Sequence, residues 1–91
     1  MQSIWKFPLE ILEAQEIQIP SHSQVLCVQA QNGHPMLWAL VFDTSENAPT
    51  TLRTFHTYGT GHRHESIQGK YVGTYQINDG ALVFHVFEEM T

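Results

Sequence analysis

The sequence is poor in cysteine, in basic residues and in long apolar runs. Its one cysteine, Cys27, has no partner for an intramolecular disulfide, and its apolar neighbours Leu26 and Val28 favour a buried, inert thiol. No apolar stretch approaches the roughly 20 residues that a membrane helix needs. The N-terminus also lacks the basic and apolar pattern of a signal peptide, so we expect a cytosolic protein with no membrane partner.

Basic residues are scarce, because four Lys and Arg stand against nine Asp and Glu, and the formal net charge is −5. This charge disfavours binding to a polyphosphate backbone, so no nucleic acid is predicted as a partner. The acidity would suit a basic partner surface, although solubility alone explains it equally well. What the chain does have is a 42% hydrophobic content, enough for the core of a single β-rich domain over 1–91.

Alternation of apolar and polar residues between turn signals predicts an all-β fold, a small antiparallel sandwich or open barrel of about seven strands. Pro8 places the first strand at a sheet edge or ends it, because proline cannot donate a ladder hydrogen bond. Leu9 to Glu16 could instead form one short helix. The predicted strands cover 4–11, 16–20, 24–31, 36–42, 52–58, 70–77 and 81–87.

Two turns and two strands carry further information. Asn32-Gly33 and Asn78-Asp79-Gly80 predict hairpins, because these residues tolerate positive φ. The strands over 36–42 and 81–87 are apolar on both faces, which is typical of strands covered on both sides. In a chain of 91 residues the second cover must be another sheet or another copy, so we expect a homo-oligomer.

The stretch from Arg53 to Glu65 concentrates the residues that could do chemistry. Gly59-Thr60-Gly61 would let the backbone approach a ligand and turn N–H donors toward an anion, with Arg53 and Arg63 supplying charge. A plain turn, with glycines for steric reasons, explains the same residues.

On the following strand Tyr71, Gly73 and Tyr75 alternate, and a glycine between two tyrosines could leave a slot for a flat ring. The alternative is a neighbouring strand that approaches closely at Gly73. Together the loop and this strand give the candidate ligand-binding residues: Arg53, His56, Tyr58, Gly59, Thr60, Gly61, His62, Arg63, Tyr71 and Tyr75.

The histidines offer a different chemistry. On a strand, His62 and His64 would share a face and could hold a divalent metal with a third ligand. The His-x-His spacing resembles the first cupin motif but departs from it where Glu65 directly follows His64. We therefore favour solvated or hydrogen-bonded histidines, and predict no metal, no cofactor and no enzyme, since no nucleophile elbow or acid–base pair is present either.

Five stretches along the chain form a recognisable series: Ile4-Trp5-Lys6-Phe7-Pro8-Leu9, Gln29-Ala30-Gln31-Asn32-Gly33, Leu37-Trp38-Ala39-Leu40-Val41, Tyr58-Gly59-Thr60-Gly61-His62 and Gly80-Ala81-Leu82-Val83-Phe84-His85-Val86-Phe87-Glu88. In this order they resemble a family of short proteins of unknown function encoded by tailed bacteriophages and prophages. The resemblance implies a setting, an accessory phage protein in the host bacterial cytoplasm, and no mechanism.

Three hypotheses follow. The first is a counter-defence binding protein that sequesters a phosphate-bearing small molecule, such as a nucleotide immune signal, without catalysis. Counter-defence is an analogy with small accessory phage proteins and does not follow from the residues. The second is an acidic protein–protein inhibitor of a host defence protein. The third is a His-dependent metal-binding enzyme.

Overall fold

The computed structural model describes residues 1–90 and confirms the all-β prediction. Residues 1–90 contain no helix, so the alternative of a short helix over Leu9 to Glu16 is wrong. Two hydrogen bonds between the Gln15 amide and the Glu10 backbone shape the connection before the second strand instead. The seven strands are β1 (Ser3–Pro8), β2 (Ala14–Pro20), β3 (Gln24–Gln31), β4 (His34–Val41), β5 (Thr50–Gly59), β6 (Lys70–Ile77) and β7 (Leu82–Glu88).

The strands form two antiparallel sheets packed as a small sandwich. The three-stranded sheet has the order β1-β4-β3, and the four-stranded sheet has the order β2-β5-β7-β6. The first strand lies at an edge and ends at Pro8, as predicted. Residues 1–90 include no helix with the length and hydropathy that crossing a membrane requires.

Both predicted hairpin turns are confirmed by their backbone angles. Asn32 and Gly33 have φ values of 52° and 81° and join β3 to β4. Between β6 and β7, Asn78, Asp79 and Gly80 have φ values of 53°, 55° and 85°. Asparagine, aspartate and glycine adopt this left-handed region at the lowest energetic cost. For this reason the sequence could predict both turns.

The core lies between the sheets. Burying each of its large aliphatic or aromatic side chains contributes about 1.5–3 kcal/mol relative to leaving it exposed. The largest fully buried side chains are Phe55, Ile19, Leu37, Val28, Val41 and Val86.

Gly73 brings β6 directly against β3 of the opposite sheet. A Cβ at this position would lie 2.8 Å from the backbone nitrogen of Val28 and 2.9 Å from its carbonyl oxygen. The two backbones therefore meet where only glycine fits. This is the close approach that stood as the alternative to an aromatic slot.

A bulge at Val72 separates the two tyrosines of β6. Tyr71 pairs with Phe87, but Gly73 pairs with Val86, so β6 has one residue more than β7 at this point. The extra residue leaves Tyr71 on the outer face of the sheet and turns Tyr75 into the core. The prediction that both tyrosines share a face with Gly73 is therefore wrong.

Candidate functional site

The outer face of the four-stranded sheet holds most of the predicted site residues. The antiparallel register pairs His56 with Phe87 and Tyr58 with His85, and these four side chains point away from the core. β6 adds Tyr71 beside Phe87. The loop over 60–69, which follows β5, folds back across this face and forms one wall of a cleft.

This cleft, which we call the loop cleft, has a volume of about 290 Å³. Its floor is aromatic: the Phe87 ring centre lies 5.7 Å from that of Tyr58 and 5.4 Å from that of Tyr71, in edge-to-face geometry. Tyr71 keeps 54% of its surface exposed. The lining residues are Tyr58, Gly59, Thr60, Gly61, His62, Ile67, Tyr71, His85 and Phe87.

A chain of hydrogen bonds runs across the same floor. His85 Nε2 lies 2.7 Å from Thr60 Oγ1, which lies 3.3 Å from the carbonyl oxygen of Val83. His85 Nδ1 lies 3.0 Å from Thr74 Oγ1, which is 2.6 Å from the Tyr71 hydroxyl.

Each threonine hydroxyl carries a single proton, so the tautomer of His85 and the directions of these bonds are coupled. If Thr60 donates to the Val83 carbonyl, it accepts from His85 Nε2. Nδ1 then accepts from Thr74, whose oxygen accepts from Tyr71. Every donor in the chain is satisfied with the proton of the neutral ring on Nε2, and the imidazole is locked between two strands and the loop.

A second hollow of about 330 Å³ shares Tyr58 with the loop cleft. In its wall His56 Nε2 lies 3.0 Å from a Glu89 carboxylate oxygen. The His64 ring meets Tyr58 edge-on, with ring centres 4.7 Å apart. His56 and His64 thus pack around the same tyrosine, but neither lines the loop cleft.

Arg53 lies on the other side of the sheet. Its Nε and Nη2 atoms lie 2.5 and 2.8 Å from the two carboxylate oxygens of Glu88, and Nη1 donates to the Ser23 carbonyl oxygen at 2.6 Å. Both charged side chains are mostly buried. The guanidinium is therefore committed to a bidentate ion pair between β5 and β7, with no donor group facing the loop cleft.

The glycine loop itself is a hydrogen-bonded turn. The Thr60 N–H donates to the Val83 carbonyl at 3.1 Å, and the His62 N–H donates to the Gly59 carbonyl at 3.2 Å. Gly61 has a φ of 83°. These two N–H groups are used within the chain, which favours the plain-turn alternative over an anion-binding nest at this point; Arg63 remains exposed on the loop.

One comparison with known proteins gives a match. The model of a family described as Domain of unknown function (DUF7352) matches residues 1–91. The chain belongs to this family. No curated protein and no solved structure matches it. Membership in the DUF7352 family brings no activity with it, so any function must be argued from the geometry.

Within this DUF7352 domain, the predicted site is divided by the sheet. The loop cleft is lined by Tyr58, Gly59, Thr60, Gly61, His62 and Tyr71, whereas Tyr75 lies in the core and Arg53 is partly buried in its ion pair with Glu88. Sequence reasoning left His85, Phe87 and Thr74 out of the candidate ligand-binding residues. The alternation of β7 could have signalled the first two, since residues 85 and 87 share a face. Thr74 could not be placed beside Tyr71 without knowledge of the bulge at Val72.

The histidines do not gather into a metal site. His62 and His64 belong to the loop over 60–69 rather than to a strand, so the i, i+2 rule for a common face does not apply. Among residues 1–90, no three His, Cys, Asp or Glu side chains are close enough to hold one ion. The metalloenzyme hypothesis therefore gains no support from the geometry.

Proposed function

We propose that the protein is a binding module that holds a flat, ring-containing small molecule of the nucleotide class in the loop cleft and does not turn it over. The observation that carries this proposal is the half-exposed Tyr71 ring, which stands beside Phe87 and next to the hydrogen-bonded His85. An exposed aromatic face beside a fixed polar group suits a base, whose ring stacks while its edge forms hydrogen bonds.

We expect stacking on the aromatic floor to contribute more to the binding free energy than charge pairing does. Each base stacked on an aromatic side chain contributes about 1–3 kcal/mol. Arg53 is committed to Glu88, so a phosphate on the ligand would rely on Arg63, which is exposed on the loop. In the phage setting that the resemblance implies, the ligand would be a nucleotide signal of the host cytoplasm.

His85 is not placed to act as a general base, for a reason of geometry. Both ring nitrogens of His85 face threonine hydroxyls, at 2.7 and 3.0 Å. A general base needs a free nitrogen within hydrogen-bonding distance of the substrate proton. His85 offers none in this arrangement and acts as a support for the cleft floor.

The test is calorimetric titration of the chain with adenosine and guanosine monophosphates and with cyclic dinucleotides. Tyr71→Ala should weaken the best binder at least fivefold, because it removes the stacking surface. Phe42→Ala is the matched control, since it removes an exposed aromatic ring outside the cleft. Absence of binding for all these nucleotides, or equal affinity in Tyr71→Ala and the wild type, would overturn the proposal.

A second candidate function is docking onto a basic protein surface, as expected of an acidic inhibitor. One observation favours it: Glu10, Glu13 and Glu16 are all exposed, around the connection between β1 and β2. Replacing all three with glutamine should release proteins captured from a host lysate, while Tyr71→Ala should not. Capture that survives the triple replacement in 0.5 M salt would contradict this function, because exposed charge pairs are screened by salt.

A further inference from the structure

The charges of the chain are distributed unevenly between the two sheets. The three strands of the three-stranded sheet contain one formally charged residue, Lys6. All nine acidic residues lie outside these strands. A chain with a net charge of −5 thus carries one sheet without any negative charge.

The outer side of this sheet is also apolar along its middle. In β4 the alternating residues Leu37, Ala39 and Val41 are fully buried between the sheets. The residues between them face outward and are partly buried. With Ile4 of β1, which pairs with Leu40 and keeps 61% of its surface exposed, they form a stripe that we call the outer stripe: Ile4, Met36, Trp38 and Leu40.

Polar but uncharged side chains border the outer stripe on the β3 side, where Gln24 pairs with Leu40 and Gln29 with Met36. Lys6 reaches across Trp38 to Gln31, with Nζ 2.7 Å from the Gln31 amide oxygen. An apolar middle with tryptophan and methionine, no acid and a polar rim has the composition of the centre of a protein interface.

We propose that a second copy of this chain covers the outer stripe, so that two three-stranded sheets stack face to face in a symmetric dimer. The charge distribution identifies the occupant. Two chains of net charge −5 repel each other wherever acidic surfaces meet, and this sheet is the face on which they can meet without opposing carboxylates. A two-fold axis places the same stripe on both partners, and the single charge of this sheet, Lys6, is held against Trp38 by its hydrogen bond to Gln31.

The size of the face sets the expected strength. Two strands of eight residues and one of six, with about 3.4 Å per residue and about 4.8 Å between strands, give a face of roughly 14 by 20–27 Å. This is smaller than a standard interface, which buries about 800 Å² on each partner. We therefore expect a weak dimer that separates on dilution.

Sedimentation equilibrium over a range of chain concentrations tests the proposal, which does not depend on the loop cleft. The wild type should convert from monomer to dimer as concentration rises, and Ile4→Lys should raise the dissociation constant at least tenfold. Leu52→Lys is the matched control, because Leu52 is 58% exposed on the other sheet. Circular dichroism of all three proteins confirms that the fold is retained.

Two results would overturn the proposal. One is a wild type that stays monomeric at all concentrations, as expected if the stripe is free or serves a different partner. The other is a dimer that Ile4→Lys leaves unchanged or that Leu52→Lys weakens equally. Cys27 gives an independent readout, because it pairs with Trp38 of the outer stripe and so lies on the face that the dimer would cover. The reaction of its thiol with 5,5′-dithiobis(2-nitrobenzoate) should slow as the dimer forms.

Discussion

The two faces of the four-stranded sheet use the same kinds of residue in opposite ways. On the inner face, Arg53 is held by the carboxylate of Glu88, and Tyr75 packs in the core with 2% of its surface exposed. On the outer side, Arg63 is exposed on the loop and Tyr71 stands half free at the loop cleft. The residue type therefore says little about role in this fold, and the face decides whether a side chain stabilises the sandwich or meets a ligand.

The largest expected difference between the two faces is the effect of replacing each arginine on stability. Arg53→Ala should lower the free energy of unfolding by about 3 kcal/mol, because it leaves the mostly buried Glu88 carboxylate without its partner. Arg63→Ala should change stability by less than about 0.5 kcal/mol, as expected for an exposed side chain. Urea denaturation of both variants measures the difference.

A double variant separates loss of the pair from loss of packing. Replacing Arg53 with Met and Glu88 with Leu removes both charges but keeps similar volume, and should recover most of the lost stability. If Arg53→Ala unfolds at the same urea concentration as Arg63→Ala, the ion pair of Arg53 with Glu88 does not stabilise the fold.

The sequence predicted most of this sheet but could not divide its two faces. Alternation and turn residues located the strands and both hairpins, since these signals are local. The bulge at Val72 is a mismatch between β6 and β7, and nothing in the run Tyr71-Val72-Gly73-Thr74-Tyr75 marks the extra residue. The partner of Arg53 lies 35 residues away on β7, a pairing that requires the register of β5 against β7.

The glycines extend the comparison to backbone packing. Gly73→Ala should destabilise the fold by roughly 2 kcal/mol, because its Cβ would meet backbone atoms of Val28 that cannot rotate away. Gly61→Ala has open space around its Cβ and should cost about 1 kcal/mol, through its φ of 83° alone. Thermal unfolding of the two variants measures both effects. A smaller loss at Gly73 than at Gly61 would show that β3 and β6 separate easily.

The two tyrosines of β6 test whether a polar hydroxyl in the core lowers stability. The Tyr75 hydroxyl is buried without a hydrogen-bond partner in the described structure. Tyr75→Phe should therefore stabilise the fold by about 1 kcal/mol, since it removes an unsatisfied polar group. Tyr71→Phe removes an exposed bond to Thr74 and should be nearly neutral. Destabilisation by Tyr75→Phe would indicate that the hydroxyl has a partner, such as a buried water.

The smallest expected effect is a loss of stability at alkaline pH that is caused by ionisation of Tyr75. Burial raises the pKa of its hydroxyl above the ordinary value of 10.0, so the folded state keeps the proton when the unfolded chain begins to lose it. This contribution to the free energy of unfolding is fully present below the unfolded pKa, and it is lost as the pH rises from about 10 toward the folded pKa. Urea midpoints measured between pH 8 and 11 for the wild type and Tyr75→Phe isolate this group, because every other ionisable side chain is common to both. The stability advantage of Tyr75→Phe should widen with pH, and a constant advantage would mean that Tyr75 titrates alike in the folded and unfolded chains.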